Sequence, residues 1–228
     1  MIVIKSEKVR AAFRVCIHYV LMPALVALGV FVFDEKRYAF IALMLAIGSF
    51  ALFAAGFERR QTGSRRLVIV SVMTALSVAG RFIPLLKPVT ALSILTGMYL
   101  GGEAGFLCGS LSAVLSNFFF GQGPWTPFQM LALGLIGLFA GYLAKPLIRS
   151  KLFLLLFGIA AGALYSFIMD VWTVLWYNGS FDVSLYLTAL GTALPFTLSY
   201  AAANVIFLLL FARPFGEKLG RVKLKYGI

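Results

Sequence analysis

An aspartate lies inside a long apolar run of this chain, at Asp170. Thr173 and Tyr177 follow three and seven residues later, so a helix would present the three side chains on one face. A carboxylate within an apolar span is costly and marks a functional site by default. Three roles are open to Asp170: binding a polar or cationic group of a ligand, carrying a coupled proton, or pairing with Arg81.

Two tryptophans in the same run, Trp172 and Trp176, are separated by one helical turn. On a helix they lie on the same side. They either stack on a planar ligand or belong to the aromatic belt that forms at membrane interfaces.

The segment 117–130 is the second group of residues able to do chemistry. Two glycines and two prolines restrict its backbone, while amide, hydroxyl and aromatic side chains supply contacts that orient a ligand. The candidate binding residues in it are Asn117, Gln122, Trp125, Thr126 and Gln129. The segment therefore predicts a shaped binding loop.

Catalytic motifs are absent from the sequence. It contains no His-x-x-x-His or Glu-x-x-His array for metal, no Gly-rich phosphate loop ending in Lys-Ser or Lys-Thr, and no serine nucleophile elbow. Cys16, Cys108 and His18 lie in apolar runs without partners at ligand spacing, and we interpret them as packed side chains. We therefore predict capture or transport of a small molecule, with no catalytic residue, metal site or cofactor.

The composition places these residues in a membrane. Of the 228 residues, 61% are hydrophobic and 12% charged, which leaves too little polar surface for a water-soluble globule. A helix crosses the hydrocarbon core with about 20 apolar residues. Apolar stretches bounded by charge, proline or glycine predict about eight spans: 11–33, 38–57, 67–86, 89–102, 104–120, 128–144, 152–177 and 185–211.

Basic residues set the predicted orientation, because cytoplasmic loops retain Lys and Arg. Of the 20 basic residues, Lys36, Arg37, Arg81 and Lys87 fall on one side of the spans and the others on the opposite side. Both termini are therefore expected in the cytoplasm of a multi-pass protein of the cell (plasma) membrane. On this interpretation the basic residues behind the net charge of +12 set the orientation in the membrane and contact lipid headgroups. Nucleic-acid binding is therefore not expected.

The basic loop at 59–66 divides the chain into two predicted domains. Residues 1–66 form an N-terminal transmembrane hairpin with a basic cytoplasmic loop, and residues 67–228 form a six-helix substrate-binding membrane domain. In the second domain, Ala75 and Ala79 make a small-residue ridge that suits either internal packing or docking to another membrane protein.

Other small and polar residues predict how the helices pack. Glycines recur at spacings that allow close approach of helices, at Gly101, Gly105, Gly109, Gly134, Gly137 and Gly141. Asn204 is expected to hydrogen-bond between helices. Glu103 is expected in a cytoplasmic turn, where it marks a helix end or meets a basic partner surface.

The segment from Ala75 to Gly141 resembles the substrate-binding S components of energy-coupling-factor (ECF) vitamin transporters. The resemblance rests on the Ala75/Ala79 ridge, on Arg81 followed by Ile-Pro and Pro-Val-Thr, on a Gly-rich turn between the second and third helices of the domain, and above all on the run 116–130. It covers the six-helix unit by topology, whereas the leading hairpin at 11–57 departs from the family pattern.

The resemblance implies an all-α integral membrane protein: a six-helix S-component bundle, preceded here by the extra hairpin. It implies a vitamin or related micronutrient bound between the outward loops and the outer halves of the last three helices. Cobalamin or a precursor is the first suggestion, with riboflavin, thiamine precursors and other vitamins as alternatives. Together with the residue patterns, it predicts substrate contacts at Arg81, Asn117, Gln122, Trp125, Thr126, Gln129, Asp170, Thr173, Trp176 and Tyr177.

The resemblance also implies partners. Ala75 and Ala79 would dock onto a transmembrane coupling protein that carries two ATPase subunits, and the S component would topple in the membrane to release its ligand inside. ATP hydrolysis would belong to those partners, in agreement with the missing phosphate loop. Two other function classes are open: a self-sufficient proton-coupled transporter that titrates Asp170, and a membrane-embedded enzyme or assembly factor.

Overall fold

The computed structural model describes residues 63–84 and 86–226, together with the isolated positions Val20, Ala24 and Met44. Seven helices make up the described C-terminal part. They are α1 (Gly63–Gly80), α2 (Val89–Leu100), α3 (Gly102–Phe120), α4 (Thr126–Tyr142), α5 (Ala144–Arg149), α6 (Lys151–Asn178) and α7 (Val183–Tyr226). Apart from these isolated positions, the predicted hairpin, with Cys16 and His18, lies outside the described residues, so the division at residue 66 stays a prediction.

Glycines end α2 and α3 because they adopt backbone angles that other residues rarely take. Gly101 has φ +96° and its amide donates to the carbonyl of Gly97, which closes α2 and lets α3 begin at once. Gly121 has φ +101° and its amide donates to the carbonyl of Asn117. This second break starts the loop that the sequence marks as a binding segment.

Proline and serine set other boundaries. Pro88 precedes α2, and Pro127 lies in the first turn of α4, where a missing amide hydrogen costs nothing. The Ser150 hydroxyl accepts from the Phe153 amide at 3.2 Å and caps α6. These residues explain why the helix starts agree within a few positions with the predicted spans.

The last helix differs most from the prediction. It continues beyond the predicted end at 211 to Tyr226 and contains Pro214. Phe215 and Leu219 pack against the buried core, while the charged side chains of the same stretch are exposed. The residues that follow the predicted span therefore form an amphipathic helix end that packs on the bundle.

The helices α3, α6 and α7 are each long and apolar enough to cross a membrane, and α2 and α4 are shorter apolar helices. The chain is therefore a helical membrane protein. The total of eight spans and the cytoplasmic location of the termini stay predictions.

Glycines bring α2, α3 and α4 into backbone contact. A Cβ atom at Gly137 would overlap the backbone of Gly105, and a Cβ at Gly97 would overlap the backbone of Gly137. Such close approach is the usual way for helices to associate in lipid, where apolar packing alone gives little preference for protein over lipid. The three helices form a rigid centre around which the polar residues are arranged.

Polar side chains tie the remaining helices to this centre. The buried Arg66 guanidinium of α1 donates to the carbonyl of Leu100 at 2.6 Å and lies 3.9 Å from the Glu103 carboxylate. Glu103 is in the first turn of α3 and not in a turn, because Gly101 alone makes the break. The Asn204 amide donates to the carbonyl of Gly158 at 3.0 Å, which confirms its predicted interhelical bond.

We expect Gly137→Ala to lower the thermal unfolding midpoint of the detergent-solubilised protein, with a loss of about 1–3 kcal/mol from overpacking. Gly191→Ala is the matched control, because a Cβ there would meet nothing within 4 Å and the gain in helix propensity is the same. Equal midpoints for the two variants would contradict the close contact of α3 and α4.

Candidate functional site

Arg81 lies directly after α1 and reaches the far end of α3. One of its terminal nitrogens, Nη1, donates to the Ser116 hydroxyl at 2.5 Å and to the Asn117 side-chain oxygen at 2.6 Å. Its guanidinium also lies over the Phe120 ring, 4.9 Å from the centroid, which is cation–π distance. Arg81 therefore joins α1 to the end of α3, and this guanidinium does not pair with Asp170.

Asn117 is the centre of the polar network. Only 1% of it is exposed, and its amide nitrogen donates to Thr126 at 2.9 Å and to the side-chain oxygen of Gln129 at 2.8 Å. Gln129 in turn donates to the Tyr165 hydroxyl of α6 at 3.2 Å. Because buried amides need their partners, Asn117 holds the loop, α4 and α6 in one arrangement.

The binding loop is closed by its own side chains. Gln122 donates to the carbonyl of Val114 at 2.8 Å and accepts from the Thr126 hydroxyl at 3.0 Å. The structure thus brings five predicted site residues into one hydrogen-bonded group, which we call the Arg81 network: Arg81, Asn117, Gln122, Thr126 and Gln129.

A cavity of about 130 Å³ adjoins this network. The Arg81 network contributes Arg81 and Gln129 to its wall, and the phenol rings of Tyr165 and Tyr200 face it from α6 and α7. The other wall residues are Lys87, Val89, Thr90 and Leu133. The wall contains two cations, an amide, a hydroxyl and two phenols, so it suits a polar ligand with several hydrogen-bonding groups.

The tryptophans form a separate stack beside the cavity. The rings of Trp125 and Trp172 lie 6.4 Å apart at 21°, and Trp172 meets Trp176 edge to face at 4.8 Å. Trp172 is buried, whereas Trp176 is exposed. Trp125 therefore packs against α6 and does not line the cavity, and Trp176 lies further towards the helix end.

The sequence predicts that one face of α6 presents Asp170, Thr173 and Tyr177 together. In the structure these three side chains do not meet at one site. The Thr173 hydroxyl donates to the Met169 carbonyl of its own helix at 3.1 Å, and 80% of Tyr177 is exposed at the end of α6. Asp170 is buried, but it is not among the residues that line the cavity.

Ala75 and Ala79 lie on the exposed side of α1. Val68, Val72 and Leu76 are exposed on the same helix. No other described helix covers this surface, which we call the α1 face. Within the described part of the chain, Ala75 and Ala79 therefore do not pack against another helix.

Sequence reasoning missed six wall residues, of which four are polar: Lys87, Thr90, Tyr165 and Tyr200. Tyr165 and Tyr200 carry a signal, since each is a phenol inside an apolar span, but many such residues are interface anchors. Lys87 has φ +25°, an uncommon angle for a residue with a side chain, and sequence does not reveal it.

A comparison with protein families decides the class of the molecule. The family described as ECF-type riboflavin transporter, S component, matches residues 61–221. This chain belongs to that family. The comparisons with curated proteins and with solved structures gave no match.

Family membership confirms the predicted class of an ECF S component. S components are membrane-embedded substrate-capture subunits of importers and not enzymes. The match gives no specific support to a cobalamin type. It covers the part of the chain that carries the Arg81 network and the cavity, and it begins after the predicted hairpin.

We expect Asn117→Ala to destabilise the protein by about 1–3 kcal/mol, because it leaves the buried groups of Thr126 and Gln129 without their partner. Thermal unfolding in detergent measures the change. Asn178→Ala is the control, since Asn178 is exposed and bonds only Ser180 nearby. A midpoint for Asn117→Ala equal to that of the control would contradict the central place of Asn117.

Proposed function

We propose that this chain captures riboflavin at the outer face of the membrane and delivers it to an ATP-driven ECF module. The observation that carries the proposal is the cavity beside the Arg81 network, within the segment that matches the riboflavin family. Riboflavin has a flat ring system whose edge carries carbonyl and N–H groups. Arg81, Gln129 and the two phenols are complementary to such an edge.

The dimensions of the cavity favour a flat ligand over a corrinoid. About 130 Å³ is below the roughly 300–1,000 Å³ of small-molecule pockets, so even riboflavin requires side chains to move aside. A cobalamin is far bulkier than a flavin and would require a much larger displacement of the cavity wall. We therefore place riboflavin before the cobalamin suggested by sequence.

The α1 face is the proposed docking surface for the coupling protein. Ala75 and Ala79 leave a shallow exposed strip between larger apolar side chains, and small residues of this kind let a second helix approach closely in lipid. The partners would be a transmembrane coupling protein and two ATPase subunits.

The orientation in the plasma membrane follows from charge. The short helix α5 and the end of α7 carry basic residues, among them Arg149, Lys218 and Arg221, whereas the Arg81 network lies at the opposite ends of the same bundle. Because the inner side of a membrane protein retains basic residues, this distribution supports an orientation with the cavity outside and the basic ends in the cytoplasm.

Purified protein is expected to bind riboflavin, measured by quenching of flavin fluorescence, and not cobalamin. Arg81→Met should weaken riboflavin binding about tenfold or more, because hydrogen bonds from a charged donor are lost. The control Arg213→Met removes an exposed arginine paired with Glu217 one turn on and should bind normally. Binding of cobalamin alone, or equal riboflavin affinity of the two variants, would refute the proposed substrate site.

The double variant Ala75→Trp plus Ala79→Trp should abolish co-purification with the ATPase subunits while riboflavin binding stays normal, because two indoles fill the strip on the α1 face. Leu198→Trp plus Ala202→Trp is the control, with the same spacing on an exposed side of α7. Unchanged co-purification of the α1 variant would refute docking through this face.

A further inference from the structure

The cavity wall carries two positive charges that no carboxylate balances. Arg81 and Lys87 both line the cavity, and no aspartate or glutamate is among the described residues of the wall. The hydrogen-bond partners of Arg81, Ser116 and Asn117, are neutral, and neither cation forms an ion pair within the described part of the chain. Because a concave site in a low-dielectric wall strengthens the field of its charges, the cavity attracts negative charge.

The polar groups of the wall offer more donors than acceptors. Both bonds of Arg81 use Nη1, so the three N–H groups on Nη2 and Nε are not used by them. The Tyr165 hydroxyl accepts from Gln129 at 3.2 Å and keeps its own proton to donate. The side-chain oxygen of Gln129 already accepts from Asn117 at 2.8 Å. With the Lys87 ammonium, which has three donors and no acceptor, the wall suits a ligand that is rich in acceptors.

The size of the cavity favours a small ion. Its volume of about 130 Å³ has room for several water molecules, since each takes roughly 30 Å³ in the liquid. A tetrahedral oxyanion fits into such a space without movement of the wall, whereas a flavin does not. Charge, donors and size therefore indicate a compact anion with several acceptor oxygens, and Arg and Lys are the usual partners of phosphate in proteins.

We propose that the cavity binds a small oxyanion of the phosphate class between Arg81 and Lys87, and that riboflavin displaces this ion when it binds. The anion accepts from the N–H groups of Arg81 on Nη2 and Nε and from the Lys87 ammonium, with the Tyr165 hydroxyl as a further donor. Lys87 is exposed and Arg81 is half-buried, so the ion enters from the side of Lys87. The binding of the anion stands on the cavity alone, whereas its displacement by riboflavin rests on the proposed function.

Titration of the full chain with sodium phosphate, in a neutral detergent and without flavin, tests the anion site. Sodium chloride at the same ionic strength is the reference. Because a ligand that binds the folded state stabilises it, phosphate is expected to raise the thermal unfolding midpoint above that in chloride. Lys87→Met should weaken phosphate binding about tenfold or more, because a charged donor is lost.

The matched control is Lys145→Met. Lys145 is an exposed lysine of α5 that does not line the cavity, and its replacement should leave phosphate binding unchanged. A second titration uses glycerol 3-phosphate, which carries the phosphoryl group on a larger molecule, as a phospholipid headgroup does. It should bind more weakly than phosphate, since the cavity is small.

Competition with riboflavin is measured by fluorescence quenching at rising phosphate and constant ionic strength. For one shared site, the apparent Kd for riboflavin is expected to rise about tenfold when phosphate is at ten times its own Kd. Lys87→Met should lose this dependence over the same range of phosphate, whereas Lys145→Met should keep it.

Equal midpoints in phosphate and chloride, or equal phosphate affinity of the two lysine variants, would overturn the anion site. Tighter binding of glycerol 3-phosphate than of phosphate would overturn the assignment to a free ion and favour a phospholipid headgroup. If phosphate binds and riboflavin does not, the proposed function fails while the anion site stands. If riboflavin binds and phosphate does not compete, the shared site is rejected while the proposed function stands.

Discussion

The hydrogen bonds from Arg81 to Ser116 and Asn117 are the interaction on which the outer half of the molecule depends. A guanidinium at the edge of an apolar bundle needs acceptors within the protein, and both acceptors come from the last turn of α3. Asn117 in turn donates to Thr126 and Gln129, so the same hydrogen bonds fix the end of α1, the end of α3 and the start of α4 relative to one another. Through Arg81 and Gln129, this network also fixes one part of the cavity wall.

Asn117 and Asp170 show two ways of burying a polar group. The side chain of Asn117 accepts from Arg81 and donates to Thr126 and Gln129, so its polar groups are satisfied and it helps to fix the fold. Asp170 keeps one oxygen without a partner, although hydroxyl side chains lie close by. In a low-dielectric interior a satisfied group is structural, whereas an unsatisfied group costs stability until something binds. The Asn117 side chain therefore has a structural role on α3 and α4, whereas the Asp170 side chain on α6 keeps a polar atom unsatisfied.

The loop could be predicted from sequence because its determinants are local. Gly121, Pro127 and the amides between them lie within a few residues of one another, and their spacing alone brings Asn117, Thr126 and Gln129 together. Tyr165 and Tyr200 could not be assigned in the same way. The sequence shows where along a helix a residue lies, but not how the helix is rotated about its axis, and therefore not which neighbour the side chain faces. For the same reason, the sequence left open whether Arg81 pairs with Asp170; in the structure the Arg81 guanidinium bonds Ser116 and Asn117. The last turns of α7 were missed because the apolar residues that pack on the core there, Phe215 and Leu219, lie among charged neighbours.

Helix α1 links the two proposed surfaces. Its exposed face carries Ala75 and Ala79, and the residue after its end, Arg81, belongs to the cavity wall. Arg66 near its start is bonded to the turn between α2 and α3, so the helix is held at both ends by the rigid centre. A partner that binds the α1 face therefore cannot shift α1 without straining either the Arg66 contact or the bonds of Arg81 to α3.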